Sequence, residues 1–198
     1  MSEGERQEQN QANNEHGPRI RPKVWIASLS DYNGGRLHGA WVEADQEPDG
    51  IWEGVNGVLR TSRVPGAEEW AIFDYEGFGP LKLSEYETVE RISRLGLGIA
   101  AHGEAFAAFA HFLGVRDDEL LTAFEDSYLG HWESLRAYAE DYLLGCGIED
   151  LLDEHIPPAF RPYVNFDAAA LARDMEFEGA VLAIGDSEGG GVFLFHPP

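Results

Sequence analysis

The chain has 198 residues with 36 acidic and 14 basic side chains, a formal charge of −22. That balance excludes nucleic acid and anionic membrane as partners, because phosphates repel such a surface, and it points to basic proteins or cations instead. Apolar residues make up 43%, including five Trp, seven Tyr and eleven Phe, so the chain has the means to bury a core and is not a disordered polyanion.

Residues 1–22 are rich in Gln and Asn, their acids and bases nearly cancel, and no apolar periodicity runs through them. They read as a disordered lead-in, with no apolar h-region of a signal peptide. Nearly all of the net charge therefore lies in residues 23–198. Val24–Leu29 reads as a strand, Asp31-Tyr32-Asn33-Gly34-Gly35 as a turn, and Leu37–Val42 as a second strand. Pro48–Leu59 reads as a helix with Ile51, Trp52, Val55 and Leu59 on one face. Glu69–Tyr75 reads as a third strand, which makes residues 23–80 a β-rich domain with one helix.

From Ser84 to Ile156 the period becomes helical. Ser84 and Glu87 have the spacing of a capping box, and Val89, Ile92, Leu95 and Ile99 follow on one face. Further helices are expected over Glu104–Leu113, from Asp117 through Tyr128, and over Trp132–Leu144. Gly103, Gly114, Gly130 and Gly145 punctuate them. Residues 81–156 thus form a helical, acidic domain. Pro157-Pro158 opens a small α+β domain over 157–198, with a helix capped by Asp167 and two short strands, Ala180–Ile184 and Val192–Phe195, around Gly189–Gly191. The fold class is α+β: three small domains in an elongated row, with no internal repeat and no run long and apolar enough to span a membrane.

The acids are unevenly spread. Residues 117–154 hold twelve of them, Asp117, Asp118, Glu119, Glu125, Asp126, Glu133, Glu140, Asp141, Glu149, Asp150, Asp153 and Glu154, against the single base Arg136. Glu119, Asp126, Glu133 and Glu140 recur every seven residues, although Gly130 argues against one unbroken helix. Glu149/Asp153 and Asp150/Glu154 are like-charged i,i+4 pairs, each costing a helix about 0.2–0.5 kcal/mol. In the earlier helix Glu87 precedes Arg91 and Glu90 precedes Arg94, the favourable order. A second acidic group is Glu43, Asp45, Glu47 and Asp49. A charge run is ordinarily a solvated helix face, and two lysines against twelve arginines also suit salt adaptation, so composition alone leaves both readings open. Clustering favours a field that is used. At one charge per ~1.7 Å of duplex axis, such a charge matches ~37 Å of DNA.

No catalytic or metal constellation competes. The seven histidines form no HExxH and no ligand spacing, and His102 and His111 read as core or surface residues. Asp117-Asp118-Glu119 lacks the EF-hand pattern. Ser28 and Ser30 have no nucleophile elbow, and Asn33-Gly34-Gly35-Arg36 has neither phosphate-loop spacing. Cys146, the only cysteine, forms no internal disulfide or multi-cysteine zinc site, which agrees with a reducing cytoplasm. Trp25, Trp41, Trp52, Trp70 and Trp132 read as core aromatics. The alternatives left are an acidic protein that sequesters some other basic protein and, further off, an acid/base hydrolase needing a cleft with two carboxylates of separated pKa.

Three segments add a resemblance. Ala27-Ser28-Leu29-Ser30-Asp31-Tyr32-Asn33-Gly34-Gly35-Arg36-Leu37-His38-Gly39-Ala40-Trp41 resembles the opening of the ArdA antirestriction proteins. So do Glu68–Phe78 with the following Leu83-Ser84-Glu85-Tyr86, and Pro157–Asp174, above all Arg161–Phe166 and Ala172-Arg173-Asp174. The resemblance implies an elongated three-domain homodimer, encoded on mobile elements, whose carboxylates imitate DNA phosphates and block type I restriction-modification enzymes at the methyltransferase core. It implies no catalytic residue, metal or cofactor. Its dimer contact would fall near residues 143–160, with Leu143, Leu144, Ile148, Leu151, Leu152 and Ile156 as the apolar side. Residues 1–22 and the longer, more acidic stretch 148–155 depart from the family pattern, and Asn165 stands where an acid is expected.

Overall fold

A computed structural model describes residues 21–114, 119–187 and 189–197. It separates into two compact units, Met1–Phe124 and Glu125–Pro198. The architecture is α+β, with a three-stranded antiparallel sheet in each unit.

In the first unit β1 (Lys23–Ser28) lies between β2 (Gly39–Glu43) and β3 (Trp70–Glu76), in the order β2-β1-β3. Strand alternation sends Val24, Ile26, Val42 and Ile72 to one face, where all are buried. Helix α2 (Pro48–Arg60) covers that face with Ile51, Val55 and Val58, and Pro48 opens it as expected. The segment Asp31–Gly35 corrects the sequence reading. Leu29–Asn33 forms a short helix, α1, whose cap is the Ser28 hydroxyl accepting from the Asp31 N–H. The β1–β2 connection is therefore a helical loop in place of a tight turn, and β2 starts two residues later than read.

Helix α3 (Val89–Leu113) breaks at Gly103, whose φ of 64° and ψ of −144° only glycine adopts without strain. The two segments are the two helices expected there. The capping box is displaced: Glu87 accepts from the Ser84 N–H, but the helix is capped by Thr88, whose hydroxyl accepts from the Arg91 N–H. Helix α4 (Leu120–Ser127) follows, and its Phe124 closes an aromatic core with Phe106 and Phe109, centroids 5.5 and 5.6 Å away.

In the second unit the expected helical run is interrupted. Tyr128–Trp132 is a strand, β4, hydrogen-bonded to β6 (Val192–Phe195), which also pairs with β5 (Leu182–Gly185). Trp132 thus ends a strand instead of starting a helix. Helix α5 (Leu135–Gly145) begins after Ser134, whose hydroxyl accepts from the Ala137 N–H. Helix α6 (Ile148–His155) and a single 3-10 turn, Arg161–Tyr163, precede α7 (Ala168–Phe177). Asp167 caps α7 through the Ala170 N–H at 2.9 Å, as the sequence predicts. Ala139 on α5 meets Ala168 and Ala172 on α7, so small residues bring the two helices together.

Candidate functional site

The two acidic groups sit differently. Glu43 ends β2, Glu47 occupies the position before the first turn of α2 without a capping side-chain hydrogen bond, and Asp49 lies in that turn; all three are exposed, and Asp45 is half-buried. Acids at a helix N-terminus are favoured by the macrodipole, so Glu47 and Asp49 have a local reason to be there. Helix α3 fixes their turn. The Ser93 hydroxyl donates to the Gln46 carbonyl at 2.7 Å, and Gly96 lies so close to Ala44 that a side chain there would strike the Ala44 carbonyl.

Asp117 and Asp118 lie outside the described residues. Glu119, Glu125, Asp126, Glu133, Glu140, Asp141, Glu149, Asp150, Asp153 and Glu154 are all exposed. The seven-residue series does not lie along one helix. Asp126 is on α4, Glu133 is in the turn after β4, and Glu140 is on α5, because β4 interrupts the helical path. Residues 125–198 carry fifteen acids against three bases, a balance of −12.

Among the described residues, Arg136 and Arg161 quench part of this charge. Arg136 donates to Glu140 at 2.9 Å. Arg161 reaches back to α6, donating to Asp153 at 2.6 Å and also to Glu149. The like-charged pair Glu149/Asp153 is therefore bridged by a guanidinium from outside the acidic run, which i,i+4 reasoning within α6 missed. The hydrogen bond to Asp153 and the two carboxylate charges hold the Arg161 pKa above its ordinary value, against its partial burial. Among the expected dimer residues, Leu144 and Leu151 are 63% and 50% exposed, Leu143, Ile148 and Ile156 are half-buried, and Leu152 is buried. Phe160 adds a further exposed apolar side chain at 63%.

A carboxylate outside these groups is held well below the ordinary range. Asp31 is fully buried and accepts from the Ser62 hydroxyl and from Arg36 Nε at 3.1 Å. The Ser62 hydrogen bond, followed by those of Arg36 and Ser28, holds its pKa at about 2 despite burial. Nearby, the His38 ring bonds the Val58 carbonyl at 2.9 Å. The long opening motif thus fastens the β1–β2 connection to the end of α2 and the loop beyond it, which is a structural task. Asp186 does the same in the second unit. Burial raises its pKa, but the Gly190 N–H, the His131 ring at 3.0 Å and the Gly189 N–H together bring it below the usual value.

None of the five tryptophans is fully buried, contrary to the core reading: Trp41 and Trp52 are exposed, and Trp25, Trp70 and Trp132 are half-buried. Trp52 and Trp70 line an open cleft of about 590 Å³ with Leu59, Arg60 and Val64, and Glu68 is its one acid. Among the described residues no group of three or more His, Cys, Asp or Glu is placed to hold a metal, and no helix is long and apolar enough to cross a membrane.

Fold and surface together define an acidic α+β protein whose prominent feature is a set of exposed carboxylates on folded elements. Residues 24–187 match the family model described as "Antirestriction protein (ArdA)". The match spans most of the chain, and the chain belongs to that family of antirestriction proteins. A comparison with curated proteins gave no match.

Proposed function

We propose that this antirestriction protein is a DNA mimic that occupies the DNA-binding surface of the methyltransferase core of type I restriction-modification enzymes. The observation that carries this reading is the exposure of thirteen of the candidate acids on helices, strand ends and capped turns. Carboxylates held by folded backbone offer lysine and arginine the charge that phosphates otherwise supply. A folded array also avoids the ordering cost of a flexible decoy. The mechanism is competitive occupation in the cytoplasm and needs no catalytic group or cofactor. Restriction is blocked, and modification with it where both use the same surface.

The contacts are carried by Glu43, Asp45, Glu47 and Asp49 in the first unit and by the acids from Asp117 to Glu154. Glu140, Glu149 and Asp153 contribute less, since Arg136 and Arg161 already partner them. A homodimer extends the charged array. Its contact uses Leu144 and Leu151 with the half-buried Leu143, Ile148 and Ile156, while Leu152 supports them from inside the unit. The test is cleavage of DNA by a purified type I enzyme with and without the protein, across salt. Inhibition that weakens as salt rises supports the proposal; full cleavage at low salt with excess protein rejects it.

A further inference from the structure

We propose that the outer face of the first sheet is an arginine-binding platform, on which a guanidinium of a basic partner stacks on indole while its N–H groups reach carboxylates. The proposal rests on the reading of the protein as a decoy for a basic DNA-binding surface, and it names a contact that phosphate imitation alone does not supply.

Residues directly opposite in an antiparallel sheet share a face. Lys23 stands between Glu43 and Glu76, and Trp25 between Trp41 and Asp74. These residues lie on the side away from Val24, Ile26 and Val42, which pack toward α2. Two indoles, Trp25 and Trp41, meet edge to face with centroids 5.7 Å apart. Glycine at position 39 leaves room for the Trp25 ring, whose Nε1 would lie 2.9 Å from a Cβ there. Trp41, Glu43, Asp74 and Glu76 are exposed, so three acids and one base surround an accessible aromatic pair.

The chain itself shows the chemistry this face supports. The Lys23 ammonium sits 4.5 Å from the Trp41 ring centroid and 2.9 Å from a Glu76 carboxylate oxygen. A cation is thus held by indole and carboxylate at once. An arginine suits the same arrangement better, because its planar, weakly hydrated guanidinium stacks flat on indole and keeps its N–H fork free for carboxylates. The Trp52–Trp70 pair, 5.9 Å apart and edge to face, lines a cleft with Arg60 and only one acid, and so serves as an internal control.

The experiment titrates the full-length protein with oligoarginine and with oligolysine of equal length, reading the indole N–H resonances of all five tryptophans. The Trp25 and Trp41 signals are expected to move and saturate while those of Trp52, Trp70 and Trp132 stay. Oligoarginine should half-saturate them at roughly two- to fivefold lower concentration than oligolysine. Trp41→Leu should remove that preference, and Lys23→Gln, which vacates the ring, should strengthen oligoarginine binding. Equal response to the two peptides, or resonances that all move together or not at all, overturns the proposal. The wild-type titration alone reaches that decision if Trp41→Leu fails to fold. A protein that passes this test yet does not inhibit a type I enzyme loses the proposed function and keeps the site; one that inhibits without a Trp25/Trp41 response keeps the function and loses the site.

Discussion

Gly96→Ala tests how the first acidic turn is held. Gly96 is a buried position of α3 against the backbone of Ala44, within the segment that carries Glu43, Asp45, Glu47 and Asp49. An added methyl would lie 2.9 Å from Ala44 Cβ and closer still to the Ala44 carbonyl. Carbon rests against a carbonyl oxygen at roughly 3.3 Å, so helix and turn must separate by on the order of 1 Å. Overpacking of this kind costs about 1–3 kcal/mol, and the helical preference of Ala over Gly returns about 1 kcal/mol. The backbone carbonyl cannot rotate away, which places the cost near its upper limit and the net loss at about 2 kcal/mol. For a protein of this length that lowers Tm by roughly 4–8 °C. Gly57→Ala is the control: it lies within α2 with nothing within 4 Å of the added Cβ, so it should raise Tm by a degree or more. Thermal unfolding followed by circular dichroism decides. If Gly96→Ala is as stable as Gly57→Ala, the described clamp of α3 on the acidic turn is wrong.

Other outcomes follow from the same contacts. Asp31 has a folded pKa near 2, below its unfolded value, so its contribution to stability is present above pH 4 and is lost as pH falls toward 2. Asp31→Asn should flatten that acid limb in pH-dependent unfolding and lower stability at neutral pH. Arg161→Ala leaves Glu149 and Asp153 unbridged on α6, so hydrogen exchange in α6 should quicken slightly, and added salt should restore part of the loss. Leu144→Glu with Leu151→Glu should give a folded monomer by sedimentation, whereas Leu152→Glu should destabilise the second unit itself, because Leu152, unlike Leu144 and Leu151, is buried. A folded Leu144→Glu/Leu151→Glu variant that sediments as a dimer contradicts the proposed contact.

Periodicity made much of the fold legible. The strand at Trp25, the helix over Pro48–Leu59 with Ile51 and Val55 inward, the break at Gly103 and the Asp167 cap are local patterns, and local patterns survive in a sequence read alone, although Val58 takes the buried place expected of Trp52 and Leu59. Strand β4 was hidden because Tyr-Leu-Gly-His-Trp is short and gains its identity only by pairing with Val192–Phe195, far along the chain. Helix α1 was hidden because its five residues are held by the Ser28 cap and the buried Asp31, while Asn33-Gly34-Gly35 has the composition of a turn. The acids were legible as a population, since charge favours exposure, but their partners were not. Arg161 lies eight residues from Asp153 and twelve from Glu149, and no helical spacing links them. The tryptophans misled for a related reason: indole is large and amphipathic, so a sheet can carry it half-exposed.

The central claim is that a folded array of carboxylates competes with DNA for one surface of a type I methyltransferase. The most direct measurement follows a fluorescent cognate duplex on that methyltransferase as this protein is added, in parallel with a variant carrying Gln or Asn at Glu43, Glu47, Asp49, Glu125, Asp126, Glu133, Asp141, Asp150 and Glu154. The wild-type protein should release the duplex at low salt and less effectively as salt rises, and the neutralised variant should leave it bound. Release of the duplex by the neutralised variant, at the same concentration and with the same salt dependence as wild type, would contradict the account.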